Sequence, residues 1–404
     1  MTDHDLTEKG RQNLDMLCRT IPGREVGSEG NRRATRFFEA ELSRRGWTIE
    51  AIEFDAIDWE ERGATLTCCN KAFRVLVSPY SLAFDGAGEL IPASTAEELE
   101  MLDTGGKILL LHGEIAREQL MPKNFVFYNP EEHQRIVALL EQSGARAIIS
   151  ATGRNSALAG GVYPFPLIED GDFDIPSVYM TEEEGLRLLP YAGKSVSLSS
   201  RSVRIPGKGY NISGVRGNPS GRRIVVTAHI DAKKASPGAI DNATGVIVLL
   251  LLAELLKDYD GERLIELVAF NGEDYYAVPG QMAYITARGV DFPKILLNIN
   301  IDGAGYLEGP SSVSPFDLPE ELNLMVQELI AKNPGIVEGI PWPQGDHSIF
   351  LQYGVPAVAV SSQWLINHMS EQEITHTPKD HPEIVNCSRL AEIALALNQL
   401  IRKI

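Results

Sequence analysis

Five short stretches in the C-terminal half of the chain carry imidazole or carboxylate groups: His229-Ile230-Asp231, Asp241-Asn242, Glu273-Asp274, Asp302 and Thr375-His376-Thr377. Taken singly, each is as readily a cap or a turn residue, because Asp and Asn suit both. Taken as a set at one rim, they are not so easily explained. Crowded carboxylates repel one another unless a cation neutralises them. Mixed imidazole and carboxylate donors suit zinc, and also manganese or cobalt. The chemistry indicated is the binding of divalent cations.

The elements around these residues put them on one rim. From about residue 206 the pattern reads strand, helix, strand, helix. Expected strands are 223–228, 264–270, 295–301 and 355–360; expected helices are 244–256, 279–288, 318–332 and 386–402. Continuous apolar strands alternating with helices indicate an α/β fold with a mostly parallel sheet covered by helices on both faces. Ligands of such sheets gather beyond the carboxyl ends of the strands. His229, Glu273, Asp274 and Asp302 follow strand ends. Asp241 and His376 precede helices.

Upstream, residues 5–45 read as two helices, with Asn31 as N-cap of the second, and 48–54 as a strand. Residues 60–205 change character. They hold short strands at 107–111, 146–150 and 176–180, and helices at 131–142 and from 181. The expected division is 1–59 with 206–404, and an inserted small β-rich domain at 60–205. That inserted block is expected to form a wall of the active-site cleft or an oligomer contact, so a homo-oligomer is one open reading.

Composition narrows the function classes. The 404 residues carry a net charge of -18, which argues against nucleic acid and against an anionic membrane surface. The longest apolar run, Val246 to Leu252, is too short to span a bilayer. Met1 to Gly10 is polar, without a secretory apolar core. Cys18, Cys68, Cys69 and Cys387 contain no Cys-x-x-Cys pair and fit reduced thiols. A cytoplasmic location is expected. No Gly-x-Ser-x-Gly elbow and no phosphate loop occurs.

His229-x-Asp231, Gly238-Ala239-Ile240-Asp241-Asn242-Ala243-Thr244-Gly245, Glu273-Asp274, Asn300-Ile301-Asp302, Gly345-Asp346-His347-Ser348 and His376-Thr377 together resemble the di-zinc aminopeptidase family. That family also contains glutamate carboxypeptidases and glutaminyl cyclases. The likeness runs in order over 206–404 and touches 10–55; block 60–205 resembles the protease-associated domain that many members insert. The resemblance implies a zinc-peptidase fold and a metallo-aminopeptidase acting on peptide substrates with two divalent metal ions. His229 and Asp302 would hold one metal, Asp274 and His376 the other, and Asp241 would bridge. Asp231 would fix the tautomer of His229, and Glu273 would be the general base. A cis peptide is expected after Asp241.

Two departures stand out. Glu273-Asp274 replaces the usual Glu-Glu, one methylene shorter. Thr375 stands where some relatives carry an oxyanion-assisting tyrosine; Tyr275, Tyr276, Tyr306 and Trp364 are candidate substitutes. His347 reads equally as a substrate-side residue or a helix cap. Asp380 reads as orienting His376 or closing a turn. A carboxypeptidase would need a cationic pocket, for which Arg288, Lys233 and Lys234 come into consideration. A cyclase would use one metal, and a non-catalytic receptor should have lost ligands or base.

Overall fold

The computed structural model describes residues 2–21, 23–154 and 161–404; Met1, Pro22 and 155–160, which fall within the expected domains, lie outside them. The chain divides into two compact units, Met1–Ala56 with Lys208–Ile404, and Ile57–Gly207.

In the first unit the sheet order is Ile336–Glu338, Ser311–Phe316, Ala357–Ser362, Ile295–Ile301, Arg223–His229, Leu264–Phe270, and then the last residues of Ser195–Gly217. The four pairings among the inner strands and at the Ile336–Glu338 edge are parallel. Ser311–Phe316 against Ala357–Ser362, and Leu264–Phe270 against 212–217, are antiparallel. The sheet is α/β and mostly parallel, as its sequence pattern indicates.

Period-two alternation splits each strand between two layers. Ile265, Leu267 and Ala269 join one core with the helices Thr244–Leu255 and Cys387–Lys403. On the opposite face Phe270 meets Tyr284 edge-on at 5.0 Å, and Tyr284 lies 6.0 Å from Phe350. Those rings come from the helices Pro279–Arg288 and His347–Gln352. Thr244 to Ala253 is buried on all sides, which accounts for an apolar run without amphipathic spacing. Among the described residues no helix is long and apolar enough to cross a membrane.

The helix Glu29–Arg44 is capped three residues before the expected position. Ser28 is its N-cap, accepting from the Asn31 amide at 3.0 Å. Asn31 is buried and exchanges two 2.8 Å side-chain hydrogen bonds with Asn271, at the end of the Leu264–Phe270 strand. A polar residue near a helix start reads as a cap from sequence, but here its side chain satisfies a distant buried amide instead.

The second unit has a sheet of its own. Phe84–Ala93, Ile108–Leu111, Ala147–Thr152 and Ser177–Thr181 pair in parallel in that order. The helices Ala96–Met101, Glu131–Gln142 and Glu182–Leu188 accompany them, so the unit is α/β in make-up and not only strands. Leu109, Leu111, Ile136, Leu140 and Ile148 form one core layer. Ile108, Leu110, Ile149 and Val178 face another.

Candidate metal centre

Strand register brings the strand-end residues level. Phe270 pairs with His229, and Asn300 pairs with Thr227, so Asp302, two residues on, reaches the height of His229. Asp302 stays on the ladder through its amide, which donates to Val360 O at 2.9 Å. After Phe270 the chain turns through Gly272 at φ 117°, presenting Glu273 and Asp274. Asp241 sits in the turn before the Thr244–Leu255 helix, and the Asp241-Asn242 peptide is cis. Asn242 anchors that turn: its Nδ2 donates to Ile301 O at 2.8 Å, and its Oδ1 accepts from Gly245 N at 2.9 Å.

The side chains converge. Asp241 Oδ1 lies 3.1 Å from His229 Nε2, and Asp241 Oδ2 lies 3.1 Å from His376 Nε2. Asp302 Oδ1 is 3.7 Å from His229 Nε2, and Asp274 Oδ1 is 3.0 Å from His376 Nε2. Two donors bound tetrahedrally at zinc distances would be separated by about 3.3 Å, and the four separations bracket that value. His229 is 1% exposed, and both its ring nitrogens are buried without a hydrogen-bond partner of good geometry, as is Asp274 Oδ2. Buried polar atoms are rarely left so, and lone pairs aimed at a shared point are what cation ligands require. The donor set therefore fits a pair of divalent cations with Asp241 between them. Among the described residues, His229, Asp241 and Asp274 offer ligand atoms all within 4.8 Å of one another.

The electrostatics of the bare cluster follow from crowding. Burial disfavours a charged His229, but Asp231, Asp241 and Asp302 outweigh it and hold the ring well above the usual imidazole value. His376 is raised likewise, burial being overcome by Asp274 and Asp241. Burial would raise Asp241, but the two imidazoles press it below the usual carboxylate range. Burial raises Asp302, with Asp241 and Asp274 adding to the effect against His229. Glu273 is pushed well up, by burial first and then by Asp274, Asp302 and Asp346, with His229 opposing.

Asp231 works differently from the expectation. Its Oδ1 is 3.7 Å from His229 Nδ1, too far for a hydrogen bond. Instead its two oxygens accept from Gly272 N at 2.7 Å and Asp274 N at 3.0 Å. It braces the main chain that carries Asp274 and does not set the His229 tautomer by a direct bond.

The other candidates also resolve. Asp380 accepts from Ile240 N at 2.6 Å and Asp241 N at 3.0 Å, so it holds the Asp241 turn. His347 is fully buried between Phe316 and Trp342, and its Nε2 donates to Trp342 O at 2.9 Å. Burial lowers its pKa to about 4, keeping it neutral. Thr375 Oγ1 accepts from Gln372 Nε2 at 2.6 Å, while Gln372 Oε1 accepts from Ile374 N and Thr375 N at 2.7 and 3.0 Å. Gln372 thus shapes the loop before His376, which has φ 62°. Sequence reasoning missed that residue, because two of its three partners are main-chain amides and the third is a threonine hydroxyl. Tyr275 and Tyr276 are buried with ring centroids 4.5 Å apart, and the Tyr306 ring lies tilted against Trp364 at 4.7 Å. His368 lies against Trp364 at 4.4 Å.

Residues 211–401, which carry all these groups, match the sequence model of Peptidase family M28. That segment is similar to peptidase family M28. Aminopeptidase YwaD of Bacillus subtilis (strain 168) is 24% identical over 280 residues, covering 65% of this chain and 59% of its own length. The probable lipoprotein aminopeptidase LpqL of Mycobacterium tuberculosis is 23% identical over 291 residues, covering 69% and 54%. The chain thus spans less than two thirds of the length of either of these relatives. Among solved structures, the aminopeptidase from Aneurinibacillus sp. strain AM-1 superposes with TM-score 0.76 at 18% identity, covering 100% of this chain and 96% of its own. BSAP, a zinc aminopeptidase from Bacillus subtilis, gives 0.74 at 18%, covering 98% and 94%. At that identity the likeness shows the fold alone.

Proposed function

We propose that this chain is a metallo-aminopeptidase that hydrolyses the N-terminal bond of peptides. One observation carries the reading: the two oxygens of Asp241 each stand 3.1 Å from a different histidine. One carboxylate shared between two imidazole sites suits a paired-cation centre. His229 and Asp302 would hold one cation, and Asp274 and His376 the other. Zinc is favoured, with manganese and cobalt as alternatives. When bound, such cations acidify a water, polarise the scissile carbonyl and offset the charge developing on its oxygen.

The rest falls to the side chains. Glu273 takes a proton from the attacking water as the oxygen bonds to the carbonyl carbon. It returns that proton to the amine nitrogen as the C–N bond breaks. Asp231 keeps Asp274 in place through the main chain. The carboxylate-rich rim attracts the positive α-amine of a peptide. Tyr306 and Trp364, following Asp302 and the Ala357–Ser362 strand, supply aromatic surface for a substrate side chain.

The aminopeptidase reading is preferred to a carboxypeptidase because the cations considered for a substrate carboxylate are engaged. Arg288 pairs with Glu50, and Lys234 with Glu25 at 3.4 Å. YwaD, LpqL and BSAP, each named as an aminopeptidase, support the same choice. We read the Ile57–Gly207 unit as protease-associated-like. The four unpaired cysteines suit a cytoplasmic location, which cell fractionation would check.

A panel of aminoacyl and N-acetylated aminoacyl reporters, run with zinc, manganese and cobalt, tests the activity. Cleavage confined to free-amine substrates supports the proposal. Turnover only of blocked substrates with a free carboxylate replaces it with the carboxypeptidase reading.

A further inference from the structure

Residues 230–241 link the His229 end of the centre to Asp241, and side chains outside this segment grip its main chain. Arg24 is 2% exposed. Its Nε donates to Ile230 O at 2.9 Å, Nη1 to Pro237 O and Leu17 O at 2.9 Å each, and Nη2 to Gly238 O at 2.7 Å. Asp380 is fully buried and grips the same turn from its N–H side. Its carboxylate takes the Ile240 and Asp241 amides, and its own carbonyl accepts from Ala239 N at 3.3 Å. From 237 to 241 every residue therefore has a main-chain group bound by one of these two. Pro237 and Gly238 give carbonyls to Arg24; Ala239, Ile240 and Asp241 give amides to Asp380.

The fit is close. Gly238 has φ 59°, and a Cβ there would lie 2.7 Å from Arg24 Nη2 and 2.5 Å from Ala232 Cβ. A side chain at 238 would displace the guanidinium. An arginine is needed because one planar group must reach carbonyls in several directions, which a lysine ammonium on a flexible stem does not do in a fixed geometry. Asp380 lies four residues after His376, so one acid couples the His376 loop to the Asp241 turn.

Asp241 can serve both histidines only while its peptide is held at one orientation. A small rotation of the 237–241 main chain swings one carboxylate oxygen away from His229 or from His376. We propose that Arg24 and Asp380 are a two-sided clamp that positions the Asp241 carboxylate and thereby sets cation affinity at both halves of the centre. Neither touches the reacting atoms. The inference rests on the paired-cation reading above.

The test uses the full chain, stripped with chelator and titrated with Co(II) by visible absorption, and with Zn(II) against a chromophoric chelator. Thermal unfolding is followed alongside. The variants are Arg24→Met, Arg24→Lys and Asp380→Asn. Wild type should take two equivalents. Arg24→Met and Asp380→Asn should weaken both by about 10–100-fold, the range for residues that orient ligands, and should change the Co(II) spectrum. Arg24→Lys should fall between. Folded variants that take two equivalents at wild-type affinity, with an unchanged spectrum and only a lower melting temperature, overturn the clamp. If Arg24→Met does not fold, Arg24→Lys and Asp380→Asn decide on the same criteria. A wild-type chain that takes no second equivalent overturns instead the paired-cation reading beneath it.

Discussion

Replacing Asp231 with asparagine separates two accounts of what that residue does. Its carboxylate accepts two buried amides, Gly272 N at 2.7 Å and Asp274 N at 3.0 Å, and Asp231 is 1% exposed. Asparagine offers one acceptor oxygen, and its NH₂ must then face an N–H. One hydrogen bond to a charged group is lost, worth about 1.5–3 kcal/mol. At ~2–4 °C per kcal/mol for a unit of this size, melting should fall by about 3–12 °C. The effect on cations should be lopsided. Asp274 loses its brace, so the Asp274–His376 half should weaken by about 10–100-fold. The His229–Asp302 half should change less, because His229 Nδ1 is 3.7 Å from Asp231 and makes no direct hydrogen bond to it. Calorimetric titration of the stripped protein resolves the two equivalents, and differential scanning calorimetry gives the melting shift. A variant that melts like wild type, or that loses affinity only at the His229 half, refutes the main-chain account.

Three further outcomes follow from the same geometry. Glu273→Gln should keep both cations yet lose about 10²–10⁴-fold in kcat, the usual worth of a positioned base; retained turnover in a stopped assay removes Glu273 from that role. Cation affinity should rise with pH and keep rising above the ordinary imidazole range. In the stripped protein His229 and His376 both have raised pKa values, so protonation stabilises that form below the unfolded pKa, and the advantage is lost as pH climbs through the folded one; an affinity flat from pH 6 to 9 by chelator competition would contradict this. Gly245→Ala should destabilise by about 1–3 kcal/mol by urea unfolding, because a Cβ there would collide with Ile301 O and lie 2.5 Å from Asn242 Oδ1; an unchanged midpoint would show that this turn yields.

The inner strands could be read from sequence because burial on both faces leaves an unmistakable apolar run. Leu264–Phe270 and Ile295–Ile301 fall where the pattern puts them. Ser311–Phe316 could not be read that way. It is serine-rich and contains Pro315, and its burial comes from pairing with Ala357–Ser362, a partner distant in sequence. Of the long strands, Thr48–Cys68 was legible only over its first residues, 48–54, and Ser195–Gly217 was opaque, since half-exposed alternation with Gly and Pro resembles loop. At the site, side chains that meet one another at strand ends were legible as a set. Side chains that act on main-chain atoms were legible only in part, closing a turn having been one of two readings of Asp380. Arg24 reaches carbonyls 206 to 214 residues away, and nothing in its neighbours announces that. The same blindness assigned Asp231 to the His229 ring when its partners are two amides.

The aspartate at 274 poses the last question. A shorter side chain than the family's usual glutamate should leave the His376 half stretched, yet Asp274 Oδ1 comes within 3.0 Å of His376 Nε2. The main chain there is held in place, since Asp231 accepts from the Gly272 and Asp274 amides. On that account the shortening is already absorbed, and restoring glutamate does harm. Asp274→Glu lengthens the side chain by one C–C bond of about 1.5 Å, several times the about 0.2 Å within which ligand distances must hold. The buried surroundings of Asp274 leave little room to fold the excess away. The variant should bind its second cation at least about 10-fold more weakly. The larger manganese ion should lose less than zinc, being less exacting about ligand geometry. Equal or tighter zinc binding by Asp274→Glu would mean that the turn moves freely, and that Asp231 does not hold it.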